Sequence, residues 1–424
     1  MLIGRYALLL LAISAFAQDL QSPDPKERAK AARALRESGP DAIQTLLPLL
    51  SDAEKDVRLE AVRSIVTIGT QHSLDPLMQA LRDNDPEVQI RATDGLVNFY
   101  VPGYVQTGMA RLSASVRGRF DRENRDAVDT WITVRPEIVS EIGKLARGGG
   151  SMEARANAAR AIGILRGKTA LPDLIQALQT KDTAVLFEAL IAMQKIGDLS
   201  AGPRARPLLR DLNERVQIAA IETVGLLRTA EAVPDLQKVF DSSKSVRVRR
   251  AALTSLAMLT DPKSRPFFER GFQDKDDKIR AAAAEGFARL NQPADIPMIE
   301  KAFEEENKMP ARLGMGFALV ALGQTKTDQF SPLTYLVNTL NSRAYREVAE
   351  PYLVELSRKP PVRSLLYPFV AKSTAEEKMG LARILAVTGD RESLTHVESI
   401  SKDGETEVAQ EGLRALKALR ARLN

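Results

Sequence analysis

A beat of about 31 residues runs through this sequence, and it limits the possible folds more than any other feature. The segments "DVRLEAVRSIVTIG" (56–69), "RVQIAAIETVGLL" (215–227), "VRRAALTSLAMLT" (248–260) and "IRAAAAEGFARLN" (279–291) share one spacing. An anchor is followed by small or apolar residues four and eight positions on, and by Leu or Ile eleven on. The anchors fall at Glu27, Val57, Val88, Ala154, Val185, Val216, Val248, Ile279, Ala311, Val348, Glu377 and Val408. Such positions share one face of an α-helix, so each beat holds one amphipathic helix.

A second helix follows within most beats, and proline marks its start: "LDPLMQAL" (74–81), "LPDLIQAL" (171–178), "VPDLQKVF" (233–240), "IPMIEKAF" (296–303). Proline fits the first turn, where its missing N–H has no helical partner to lose. Asp or Asn between beats, as in "RDNDPEV" (82–88), supplies a cap for the next helix. A helix pair of this size cannot bury its own apolar face, whereas stacked pairs can. The predicted fold is therefore all-α, an α-solenoid of about 11–12 stacked helix-turn-helix units, with a concave surface built from the second helices. The low aromatic content, 5%, suits such an Ala/Leu-rich array. After residue 340 the rhythm weakens. In "REVAEPYLVEL" (346–356), Pro351 falls inside the expected helix, where it predicts a kink or a break.

The pattern resembles the HEAT repeat family, in its short, phycobilisome-lyase-like form, over roughly residues 24 to 424. The resemblance rests on the anchor-x-x-x-Ala rhythm, the proline openings, and the Arg that follows the anchor at Arg58, Arg155, Arg249, Arg280 and Arg312. It implies an interaction scaffold, with those arginines as contacts between repeats. Some relatives of this architecture are enzymes. The di-iron hydroxylases resemble arrays of inward-facing His-Glu pairs. The two histidines here are His72, before Ser73, and His396, before Val397, and they read as a turn residue and a helix-surface residue. No cofactor and no metal is expected.

One beat is interrupted. From Val88 to Ala154 the step is one beat plus about 35 residues, and "NFYVPGYVQTG" (98–108) stops the helix with Pro and Gly. The second helix resumes at "RPEIVSEIGKLA" (135–146). The insertion, 101–134, carries Arg111, Arg117, Arg119, Arg122, Arg125 and the single tryptophan, Trp131. A small hairpin around "DREN" fits its alternation. Insertions in repeat arrays map to one face, often the binding face. Tyr100, Tyr104, the five arginines and Trp131 are the candidate partner-binding residues, since Arg, Tyr and Trp dominate binding hot spots. The competing reading packs the rings onto neighbouring repeats and leaves the arginines solvated.

The chain opens "MLIGRYALLLLAISAFAQDL": Arg5, an apolar run from Tyr6 to Phe16, then Ala15-Phe16-Ala17. This is the pattern of a secretory signal peptide over 1–17, so an exported protein of bacterial type, periplasmic or secreted, is expected. The organisation that follows is repeats over 18–100, the insertion over 101–134, repeats over 135–340, and divergent repeats with a cap over 341–424. There is no cysteine, which removes thiolate nucleophiles and thiolate metal sites. Lys plus Arg number 60 against 55 for Asp plus Glu, spread along the chain, so nucleic acid is an unlikely partner. The cluster "SKSVRVRR" (243–250) reads as a solvated rim with one structural Arg, and "EEEN" (304–307) as a solvated helix end. "RGGGS" (147–151) reads as a long turn.

The expected function is a non-catalytic scaffold or adaptor that binds other envelope or secreted proteins on the concave face and the insertion. The alternatives are a lyase-like HEAT enzyme or enzyme accessory, and an anionic-polymer binder, glycan or nucleic acid, using the arginines of 111–125.

Overall fold

A computed structural model describes residues 19–105, 127–129 and 132–423. Among the described residues there are 23 α-helices joined by turns and short 3₁₀ segments, and no strand. The chain is an all-α solenoid. It divides into two compact units, one through Ala205 and one from Arg206 onward.

In the first unit the long helix of each repeat is Pro25–Ala34, Lys55–Ile68, Pro86–Tyr100, Met152–Ile164 and Thr183–Ile196. In the second it is Glu214–Leu226, Val246–Leu259, Asp277–Leu290, Met309–Ala321, Arg346–Ser357, Ala375–Thr388 and Thr406–Leu423. Local chemistry sets their starts. The side chains of Asp24, Asp85, Ser151, Asp182, Asn213, Ser245, Asp276 and Thr374 accept backbone N–H groups of the first turn. The second helices open on proline as expected, for example at Leu171–Ala177, Val233–Ser242 and Ile296–Glu305.

The core lies between the two helices of each repeat and between successive long helices. Val57, Val185, Val216, Val248 and Ile279 are buried at the anchor positions, with Ala61, Ala189, Ala220, Ala252 and Ala283 four residues on. Small residues let the long helices touch backbone to backbone. A Cβ added at Gly163 meets the Ala192 Cα at 2.8 Å, at Gly225 the Ser255 Cα at 2.9 Å, and at Gly314 the Ala281 Cα at 2.7 Å. The short helices meet their counterparts in neighbouring repeats more sparsely.

Near the C-terminus the helix runs unbroken through Pro351, and one anchor shifts by a residue. Arg346–Ser357 is one helix with Pro351 inside it. Pro351 sits on the exposed side, where the carbonyl it leaves without a donor can turn to water. Its buried residues are Ala349, Tyr352, Leu353, Leu356 and Ser357, so Ala349 takes the buried place expected of Val348, which is only half-buried.

Candidate interaction surface

The arginine after the anchor recurs in one geometry at Arg28, Arg58, Arg249 and Arg280, while Arg155 donates to the Ala146 carbonyl at 3.2 Å and holds no carboxylate. In the first repeat, Arg28 donates through Nε and Nη2 to Asp52 at 2.7 and 2.8 Å, and through Nη1 to the Ser22 carbonyl at 2.8 Å. Arg58 repeats this with Asp83 at 2.7 and 3.0 Å and the Asp52 carbonyl at 3.0 Å. In the second unit Arg249 donates to Asp274 at 2.7 Å, and Arg280 to Glu306 at 2.8 Å and to the Asp274 carbonyl at 2.9 Å. Lys378 and Asp403 do the same at 2.7 Å. Each carboxylate also accepts the backbone N–H two residues on, from Glu54, Asp85, Asp276, Lys308 and Glu405. One carboxylate therefore shapes the turn into its own repeat and holds the repeat before it. The Arg28 guanidinium pulls the Asp52 carboxyl below the usual carboxylate range.

Sequence reasoning undercounted these ties. In "SKSVRVRR" not one but three arginines are paired: Arg247 with Glu214 at 2.6 Å, Arg249 with Asp274, and Arg250 with Asp276. In "EEEN", Glu306 is not a solvated end but the partner of Arg280. His396 is half-buried and stacks on Tyr367, ring centroids 4.1 Å apart. His72 is exposed in a 3₁₀ turn.

The interrupted repeat is held at both ends of its insertion. After Pro86–Tyr100 the chain turns, and the Val105 N–H donates to Asn98 Oδ1 at 2.9 Å. The Tyr100 hydroxyl accepts the Arg135 N–H at 3.2 Å, and its ring meets Phe99 edge-on at 5.0 Å. Tyr104 lies beside Asp94, Arg160 and Glu188, and burial pushes its phenol well above the ordinary value. Around it Asn157 donates to Asp94 at 3.1 Å and Arg160 to Glu188 at 2.6 Å. On the return, buried Val128 donates its N–H to the Ile164 carbonyl at 2.7 Å. A cavity of about 270 Å³ lies under this limb, lined by Val128, Ile132, Val139, Leu165 and Lys168 among others. Of the candidate residues, Tyr100 takes a hydrogen bond from Arg135 and Tyr104 packs beside Arg160 of the next long helix. Arg111, Arg117, Arg119, Arg122, Arg125 and Trp131, and the hairpin expected around "DREN", lie outside the described residues.

The family model of HEAT repeats matches residues 13–97, 139–215, 205–288 and 247–320. The chain belongs to the HEAT repeat family. Several solved structures are similar to the chain at low identity and low TM-score. Importin beta is 15% identical, with 97% of this chain and 63% of that one covered and a TM-score of 0.41. Kap121p bound to Pho4p is 14% identical, with 97% and 57% covered and a TM-score of 0.46. This HEAT chain spans less than two thirds of either. The CpcE–CpcF complex of phycocyanin lyase from Nostoc sp. PCC7120 is 18% identical, with 68% and 90% covered and a TM-score of 0.32. No curated protein matches the sequence.

Among the described residues no group of three His, Asp or Glu side chains could hold a metal ion. No helix among them is long and apolar enough to cross a membrane.

Proposed function

We infer that this HEAT repeat protein is an exported, non-catalytic scaffold that holds other proteins of the envelope or secreted fraction. The partners lie along the concave face and at the 101–134 insertion. One observation carries the reading: the insertion leaves and re-enters the repeat at fixed points, through the Asn98–Val105, Tyr100–Arg135 and Val128–Ile164 hydrogen bonds. An arginine-rich segment tethered in this way starts and ends on a rigid stack, so less conformational entropy opposes its capture of a partner. Export rests on the signal-like first 17 residues.

The test keeps the anchoring residues. Replacing 107–126 with a short Gly-Ser joiner should leave helical circular dichroism and melting nearly unchanged. It should also abolish the co-elution of partners identified on the intact chain from an envelope fraction. Unchanged co-elution would remove the insertion from the binding surface. Loss of the fold would make it a packing element.

A further inference from the structure

Arg312 occupies the same place after its anchor as Arg28, Arg58, Arg249 and Arg280, yet it holds no carboxylate. Among the described residues no ion pair or side-chain hydrogen bond reaches it, and its Nε is buried without a partner. Its guanidinium carbon instead lies 4.9 Å from the ring centroids of both Phe303 and Tyr335, which meet edge-to-face at 5.6 Å. The cause is in the next turn. The turns after Arg28, Arg58, Arg249 and Arg280 supply Asp52, Asp83, Asp274 and Glu306 just before the following long helix, whereas Arg155, followed by Thr180, donates instead to the Ala146 carbonyl. After Arg312 that turn reads Ser342-Arg343-Ala344-Tyr345, with no carboxylate, and Arg343 is exposed and makes no ion pair among the described residues. The helix it leads into begins at Tyr345 without a side-chain cap.

Two ring faces flank the Arg312 cation and strip part of its water, while its in-plane N–H donors lack the acceptor that its counterparts have. A planar carboxylate satisfies such an edge through charge-assisted hydrogen bonds. We propose that Arg312, with Arg343 in the following turn, forms a subsite for an Asp or Glu side chain of a partner protein, which takes the place that an internal carboxylate fills beside Arg28, Arg58, Arg249 and Arg280. This deepens the scaffold reading and rests on it: it names a point on the second unit where the partner's chemistry is specified.

The test uses the full chain and fluorescence anisotropy with a labelled hexaglutamate peptide, with inorganic phosphate and acetate as competitors. The wild type should bind the peptide, more tightly at low salt. Arg312→Gln should weaken binding about tenfold with circular dichroism unchanged. Arg280→Gln, whose partner Glu306 is internal, should lower the melting temperature and leave peptide affinity alone. Arg343→Asp should restore the internal pairing, raising the melting temperature while weakening peptide binding about tenfold. Because each variant is compared with the wild type, binding to the insertion arginines is common to both and drops out. Equal affinity for wild type and Arg312→Gln, or no peptide binding at all, overturns the subsite. Phosphate competing as well per molecule as the peptide overturns the protein-carboxylate assignment. None of these outcomes depends on finding the scaffold's natural partner, so a failure here is distinct from unchanged co-elution in the insertion experiment.

Discussion

Arg280 and Arg312 stand one repeat apart at the same place on their helices, and their surroundings differ in one group. Arg280 meets Glu306 and two carbonyls of its own turn. Arg312 meets two aromatic rings and no carboxylate. The same side chain is a fastener in one repeat and an unfilled donor in the next, and the residue that decides lies in the following turn. Arg289 and Tyr352 also join repeats two apart, to Glu355 and Glu285, but the Arg280 tie ends at the single turn that follows it. Removing or adding a single carboxylate should therefore be readable one junction at a time.

The largest effect removes the packing that both junctions share. Phe287 is fully buried, edge-on to Phe268 and Phe272 at 6.3 and 5.6 Å. Phe287→Ala should cost about 3–5 kcal/mol in urea unfolding, and a cost below that of Arg280→Ala would show that the ties outrank the core. Next comes the closed junction itself. Arg280→Ala leaves Glu306, 9% exposed, without its cation, and should cost about 1–3 kcal/mol. Arg312→Ala loses only ring contacts and should cost about 1 kcal/mol or less. Equal costs at the two junctions would erase the distinction between them.

Acid should separate the closed junctions from the open one. Asp52 and Asp276 are held below the ordinary range by Arg28 and Arg250, and Asp198 is lowered to about 2 by its hydrogen bonds with Ser200 and Lys168. A carboxylate whose folded value is depressed stabilises the fold fully above its unfolded value, about 4, and loses that contribution as pH falls towards about 2. Arg28→Gln should be less stable than wild type near neutrality, and the gap should close as the pH falls below the ordinary carboxylate range. Arg312→Gln should show a gap that does not change with pH. The smallest effect is at Arg166, which ends its helix at φ 50°, where Gly69 and Gly197 serve other repeats. Arg166→Gly should change stability by less than about 1 kcal/mol, in the stabilising direction, as it relieves a left-handed backbone.

The repeat period, the caps and the proline openings were legible because each rests on residues within one turn of each other. The ties were half legible. An Arg after each anchor is visible in the sequence, but its carboxylate lies 24 to 26 residues on, and an acidic run such as "EEEN" does not show which member turns inward. Pro351 looked like a break because sequence gives the proline but not the side of the helix it occupies. His396 looked like a surface residue because Tyr367, its stacking partner, comes from the preceding repeat. At the insertion, the sequence left two roles open for Tyr100 and Tyr104. The geometry sets Tyr100 against Arg135 and Tyr104 beside Arg160 of the next repeat, neighbours brought close by stacking and not by sequence.

The central claim is that charged residues join repeats in pairs, one arginine to one carboxylate of the following turn. A double-mutant cycle on Arg280 and Glu306, read by urea unfolding, addresses it most directly. The account predicts a coupling of about 1 kcal/mol or more between Arg280→Ala and Glu306→Ala. Additive losses, within about 0.3 kcal/mol, would contradict it.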